Sequence, residues 1–310
     1  MGGQLKLAIF ALLATRHCAT LLIVFFPLRC VRFHSFMTDI LVDTGTQPTQ
    51  RLIVPVGKSI TCAAVSAEEL YVVVAQPKDQ LCVYDTTDLK LKRSVSVPSL
   101  SFSAQNDLAL CTRVNCLYLS DHIVKCVHRL QLPSKMSKWR VKEHPYGVSV
   151  SQYNVLVTCR LVKKILEYTE VGDFVREMSL DVASPWHCVQ LSADRFLVVH
   201  GYHGDASRGL VVVDACGKVQ RRSSDGGYAR LNVPRHCAVA DSGCVYVVDV
   251  SSQRVISASP NLQYVRDVSL GCDDLAWLPT RVSLDPTCKH LYVVDSSTQQ
   301  GRVIVYDIGN

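Results

Sequence analysis

The chain has 310 residues and a net charge of +6, with 48% of residues apolar and 19% charged. That composition excludes a disordered chain, and the modest charge permits an acidic or nucleic-acid partner without requiring one. The 14 cysteines are spread singly and form no Cys-x-x-Cys, which sets aside a zinc knuckle or redox pair. Free buried thiols in a reducing compartment follow, so a cytoplasmic location is expected.

Residues 5–28 are mostly apolar, but Arg16 and His17 interrupt them. A central arginine costs about 2.5–3.5 kcal/mol on insertion scales. Residues 5–14 are long enough for the apolar part of a signal peptide, yet Leu12 stands where cleavage after Ala14 wants a small residue. Lys6 occupies the position where a myristoylation signal needs Ser or Thr. A weak signal anchor, an uncleaved signal and an extension ahead of a start at Met37 all stay open. Residues 1–36 are therefore expected to be a hydrophobic extension, membrane-anchoring or dispensable. Residues 37–50, with Gly45 and Pro48 among polar neighbours, read as a linker.

From residue 51 onward the chain repeats. Short runs such as Tyr-Val-Val-Asp recur around Tyr71, Tyr118, Leu156, Leu197, Tyr246 and Tyr292, at spacings of 38 to 49 residues. That period suits propeller blades. An apolar run precedes each anchor (62–65, 109–111, 148–150, 188–191, 237–240, 282–284). A third follows it (81–84, 123–127, 165–168, 210–213, 255–257, 303–306). A more polar fourth closes most units, as at 92–97, 174–180 and 264–270. Four strands per unit without helical periodicity predict an all-β fold, a six-bladed β-propeller of four-stranded antiparallel blades. The sixth unit runs out after its third strand, while 51–56 is an orphan run ahead of the first unit. Joining the two would remove an exposed edge, so residues 51–310 are expected to form one domain closed by strand 51–56.

Pro234-Arg-His-Cys-Ala-Val-Ala-Asp-Ser-Gly-Cys-Val-Tyr-Val-Val-Asp249, followed by Arg254-Val-Ile, resembles an NHL repeat, and so does 279–308. The likeness is good in the fifth and sixth units, fair in the fourth and loose before that. It is similar to the C-terminal propeller of tripartite-motif (TRIM-NHL) proteins. The chain lacks the cysteine–histidine spacing of a RING or B-box and the heptads of a coiled coil. The resemblance implies a loop face that binds RNA or protein.

On that face the loops leading into each blade hold Tyr146, Trp186, Arg235, Trp277 and Arg281. The loops between second and third strands hold Lys78, Arg160, Lys163, Tyr202, His203, Arg208, Arg254 and Arg302, with fewer acids (Asp79, Asp205, Asp273, Asp274). Arginine mixed with aromatics suits a single-stranded nucleic acid or a protein hot spot. The expected partner-binding set is Tyr146, Arg160, Trp186, Tyr202, His203, Arg208, Arg235, Arg254, Trp277 and Arg281. A basic run from Lys125 to Lys142 reads as the solvated outer rim of the second blade. Asp121, Asp249 and Asp295 end strands and read as structural turn residues.

The expected channel-mouth ring is Thr61, Leu108, Gly147, His187, His236 and Arg281, with no carboxylate. His187 and His236, on sheets about 10 Å apart, are too distant for a metal, and neither can activate the cysteine that follows it. No metal, no cofactor and no catalytic residue is expected. The sequence thus points to a monomeric recognition or scaffold module for a protein or single-stranded RNA, with possible membrane attachment through residues 5–28. The alternative is a propeller enzyme of the lactonase or lyase type with its site at the channel mouth.

Overall fold

The computed structural model describes residues 49–55, 60–74, 80–97, 100–101, 103–133, 135–223, 231–269, 277–297 and 301–309. The expected extension at 1–36, nearly all of the linker, and Lys78, Asp79, Asp273 and Asp274 lie outside them. Among the described residues no helix is long and apolar enough to cross a membrane.

Strand β1 (Thr49–Pro55) comes first in the chain and is used last. The first blade is β2 (Ile60–Val65), β3 (Glu69–Val74), β4 (Gln80–Asp85) and β5 (Leu91–Ser96). The second is β6 (Leu108–Cys111), β7 (Cys116–Asp121), β8 (Cys126–Gln131) and β9 (Lys135–Arg140). The third is β10 (Gly147–Val150), β11 (Asn154–Cys159), β12 (Lys164–Thr169) and β13 (Phe174–Ser179). The fourth is β14 (Pro185–Ser192), β15 (Arg195–His200), β16 (Gly209–Asp214) and β17 (Val219–Arg222). The fifth is β18 (Pro234–Val239), β19 (Val245–Asp249), β20 (Arg254–Ala258) and β21 (Tyr264–Ser269). The sixth has β22 (Pro279–Leu284), β23 (His290–Asp295) and β24 (Arg302–Asp307), and β1 completes it by pairing antiparallel with β24.

Each sheet is a four-stranded antiparallel meander, and the innermost strands β2, β6, β10, β14, β18 and β22 touch in that order and back to β2. The protein is a closed six-bladed β-propeller. Its core is six hydrophobic layers, one between each pair of neighbouring blades. Tyr71, Val73 and Leu81 meet Leu108, Leu117 and Leu119 between blades one and two. Tyr292, Val294 and Val303 meet Val72, Val74 and Tyr84 across the closure. Both faces of a middle strand are covered, which is why these strands read as continuous Val/Leu/Tyr runs and not as alternation. Each such side chain contributes about 1.5–3 kcal/mol on burial. Outer strands such as β5 and β9 are exposed and polar. Lys135, Lys138 and Arg140 lie on β9, at the expected rim.

One strand is displaced from its expected position. The run 123–127 was expected to be the third strand of blade two, but that strand is β8, from Cys126. The Asp121 carboxylate accepts the backbone N–H groups of Ile123 and Val124 at 3.2 and 3.3 Å, which holds both in a turn. Their β-branched side chains are left in solvent, Ile123 at 54% exposure. A local carboxylate turn outweighs β propensity here.

Candidate functional site

Blades four, five and six open with the same three-residue pattern, Pro-Trp-His at 185–187, Pro-Arg-His at 234–236 and Pro-Thr-Arg at 279–281. In each, the register shifts between the proline and the third residue, so the middle one is the extra residue of a β-bulge. A bulge turns successive side chains away from strict alternation. The third residues, His187, His236 and Arg281, gather with a residue of blade two at the centre of the ring. The middle residues Trp186 and Arg235 join loop residues on one face.

Asp107 sits at the centre of the inner cluster. It is 1% exposed, and its carboxylate accepts from Arg281 Nε at 3.0 Å and from the Val148 backbone N–H at 3.0 Å. His236 Nε2 lies 3.3 Å and His187 Nε2 3.7 Å from the same carboxylate. One side chain from blade two thus engages blades three, four, five and six. The remaining guanidinium nitrogens of Arg281 donate to the Thr280 and Asn106 carbonyls. Burial opposes the Asp107 charge, but His236 and Arg281 outweigh it and hold the group well below the usual carboxylate range. Burial also pushes His187 down to about 3, with His236 adding to the shift, and lowers His236 despite Asp107.

This cluster corrects two expectations. The channel does carry a carboxylate, Asp107, one residue before the expected Leu108. The two histidines are not about 10 Å apart, because their rings stack with centroids 3.8 Å apart. His187 also reaches a cysteine, Cys237 of the next blade, with Nδ1 3.7 Å from Sγ. Burial raises the pKa of that thiol far above its ordinary value, so the contact yields no thiolate. Asp107, His187 and His236 form a potential metal-ligand group, yet Arg281 already neutralises the carboxylate. A divalent cation added to one carboxylate, one guanidinium and two neutral imidazoles would leave two uncompensated buried charges. The group acts as an internal clamp.

The second cluster lies over blades three to five. Trp186 is buried and donates from Nε1 to the Gly201 carbonyl at 3.2 Å. Tyr146 meets it edge-on at 5.8 Å, Tyr202 meets it tilted at 5.9 Å, and His203 continues the row 5.1 Å from Tyr202. His203 Nε2 lies 3.0 Å from Ser251 Oγ of blade five. The Arg160 guanidinium lies 4.1 Å from the Trp186 ring centroid and 4.7 Å from that of Tyr202. Arg235 lies 5.0 Å from the same indole. Two guanidiniums therefore share one indole. Neither has a carboxylate partner among the described residues, and the Nε of each is buried without a hydrogen bond. Arg235 donates to the Ala104 carbonyl at 3.0 Å, and among the described residues the Arg160 guanidinium has ring contacts alone. Burial disfavours the charge on Arg235, as do Arg281 and, more weakly, Arg160.

No protein-family model matches the chain, and no curated protein does. Solved structures are similar in fold. The WD40 β-propeller domain of Doa1 superimposes with a TM-score of 0.60 at 12% identity, covering 84% of this chain and 97% of that one. Hydrazine synthase of Kuenenia stuttgartiensis gives 0.57 at 13% identity, covering 84% and 98%. Virginiamycin B lyase of Staphylococcus aureus gives 0.57 at 10%, covering 85% and 89%. The likeness is one of fold alone.

The expected face residues separate into two groups. Tyr146, Arg160, Trp186, Tyr202, His203 and Arg235 come together. Arg208 stands beside them, donating to the Asn232 backbone and side-chain oxygens at 3.1 Å. The other three belong to the interior. Trp277 is 2% exposed and donates to the Gln253 carbonyl at 2.9 Å, and Arg281 serves the clamp. Arg254 pairs with Asp249 and Asp267, each at 3.5 Å. Arg302 repeats that pairing with Asp295 at 2.7 Å. In both cases the arginine opens the third strand directly opposite the aspartate that closes the second. Those aspartates also accept backbone N–H groups from the loop leading into their own blade, as expected for structural turn residues.

Proposed function

We propose that the protein is a non-catalytic recognition module and that the aromatic–arginine cluster over blades three to five binds an acidic group of a protein partner. The observation that carries this reading is the pair Arg160 and Arg235, flanking Trp186 with no carboxylate of their own. Two like charges at one half-buried spot repel each other, and an anion between them relieves that cost. Arg254, Arg281 and Arg302 are engaged with internal aspartates and Arg208 with the oxygens of Asn232, which leaves this pair as the part of the face whose charge has neither kind of partner among the described residues. The NHL likeness of blades five and six, and the loop face that family uses for ligands, supports the same placement. The described cysteines are all free and mostly buried, which supports a reducing, cytoplasmic setting.

A protein ligand is favoured over RNA. Single strands need exposed aromatic faces and a track of cations, whereas Trp186 and Tyr146 are buried and only Tyr202, at 41%, offers much ring surface. The test is a peptide array graded in Asp and Glu content, probed with the full chain. Wild type should select acidic peptides, Arg160→Gln with Arg235→Gln should lose them, and Arg254→Gln should not. Unchanged selection in the double variant would sink the proposed site. Preferential capture of single-stranded RNA, weakening steeply between about 50 and 200 mM salt, would move the reading to nucleic acid.

A further inference from the structure

The aspartate that closes the second strand has a cation opposite it in blades five and six, namely Arg254 and Arg302. In blade two the corresponding pair is Asp121 and Cys126. Asp121 is fully buried, yet the guanidinium position holds a thiol, and the base that contacts the carboxylate is His128, two residues further along the same strand. Residues two apart on a strand share a face, so Cys126, His128 and Asp121 converge. His128 Nε2 lies 3.4 Å from Asp121 Oδ2 and 3.4 Å from Cys126 Sγ. The nearest outer-strand cation, Lys138, is opposite His128 on β9 and exposed to solvent.

Hydrogen bonding accounts for this arrangement poorly. A single Nε2–H serves the carboxylate and the sulfur together only as a shared three-centre bond, and at 3.4 Å the contact to the carboxylate is longer than an ordinary N–H···O bond. It is also no catalytic relay, because a Cys–His–Asp relay uses opposite ring nitrogens for nucleophile and carboxylate. The distances are those of ligands around one ion. With zinc at about 2.3 Å from sulfur and about 2.0 Å from nitrogen and oxygen, tetrahedral ligands stand about 3.6 Å (S to N) and about 3.3 Å (N to O) apart. All three donor atoms here lie within 4.8 Å of one another.

We propose that Asp121, Cys126 and His128 form a zinc-binding site in blade two. Charge balance separates it from the Asp107 group. Binding releases the Cys126 thiol proton to solvent and leaves His128 neutral, so one carboxylate, one thiolate and a divalent ion sum to zero inside the blade. Three protein ligands leave the fourth position to water. Asp121 accepts the Ser101 N–H with the same oxygen that faces His128, and the N–H groups of Ile123 and Val124 with the other. The ion therefore pins the loop leading into blade two and the turn between β7 and β8 to the β8 strand.

The test uses the full chain, stripped with a chelator and titrated with cobalt(II), then zinc. One equivalent of cobalt should give a sulfur-to-metal charge-transfer band with tetrahedral ligand-field bands, and zinc should displace it. The spectrum should vanish in Cys126→Ser and persist in Asp107→Asn. A missing band in wild type, or a band that survives Cys126→Ser, would overturn the site. Should Cys126→Ser not fold, X-ray absorption on zinc-loaded wild type decides. One sulfur with nitrogen and oxygen neighbours is expected, and a sphere with no sulfur or with several refutes the assignment.

Discussion

Arg281 Nε donates to the Asp107 carboxylate at 3.0 Å across 174 residues of chain, tying the inner strand of the last blade to the start of blade two. Removing one partner of a buried, hydrogen-bonded ion pair strands the other charge in the interior, at a cost of about 3–5 kcal/mol. Asp107→Ala and Arg281→Met should each lower unfolding stability by that much in urea titrations. The combination Asp107→Leu with Arg281→Met should lose clearly less than the sum, since no orphan charge remains. Additive losses would show that the two residues do not act as a pair.

The two clamp histidines, together with the separately buried His200 on β15, make the fold acid-sensitive. His187, shifted to about 3, His236, lowered, and His200, shifted to about 4, are all neutral when folded. An unfolded histidine protonates near pH 6.5. Below that pH the unfolded chain binds more protons, so stability falls as pH falls, by up to about 1.4 kcal/mol per unit for each histidine. Asp107 acts in the same direction at lower pH. Its folded value is depressed, so its contribution is complete above the unfolded value of about 3.9 and is lost as pH drops below it. Denaturation midpoints from pH 7.5 to 4.5 should fall, and His187→Asn should flatten the slope. An unchanged slope would mean that His187 is already protonated in the folded protein.

The arginines divide by what they hold. Arg254 and Arg302 face fully buried aspartates: Arg302→Gln removes a hydrogen bond to a charged group, about 1.5–3 kcal/mol, and Arg254→Gln takes the facing cation from the buried Asp249 carboxylate. Arg160 gives up only cation–π contacts, about 0.5–1 kcal/mol. Thermal unfolding should therefore rank Arg254→Gln and Arg302→Gln well below Arg160→Gln, while ligand capture ranks them in the opposite order. A single ranking in both assays would remove the distinction between scaffold and site.

The blade count, the four-strand units and the closing strand were legible because blade packing leaves a strong imprint, a β-branched run buried on both faces every 38 to 49 residues. The closing strand was placed within two residues at its start. The site was legible only in composition. Tyr146, Arg160, Trp186 and Arg235 were picked out by type and loop position, but nothing in residue type alone tells an arginine facing a ligand from one facing an aspartate. The pairing register does, since Arg254 and Arg302 stand opposite Asp249 and Asp295. Asp107 was missed because it precedes the apolar run of β6 by one residue and resembles a turn aspartate. The repeated Pro-x-His and Pro-x-Arg at 185, 234 and 279 was the available signal for the bulge. The spacing of packed sheets, about 10 Å, applied to His187 and His236 without it, put them too far apart.

Ring closure is the remaining feature open to a direct test. β1 pairs with β24 from Thr49 opposite Asp307 to Pro55 opposite Arg302. Without it the sixth blade would present β24 as an unpaired edge, with N–H and C=O groups free to recruit another chain. A chain starting at Ile60 should unfold at lower temperature than one starting at Thr49 and should elute as dimers or larger species. A peptide of residues 49–55 supplied in trans should occupy the vacant edge by strand addition and restore the monomer. If the chain from Ile60 stays monomeric with an unchanged melting temperature, β1 is an ornament on the sixth blade and the other strands hold the ring alone.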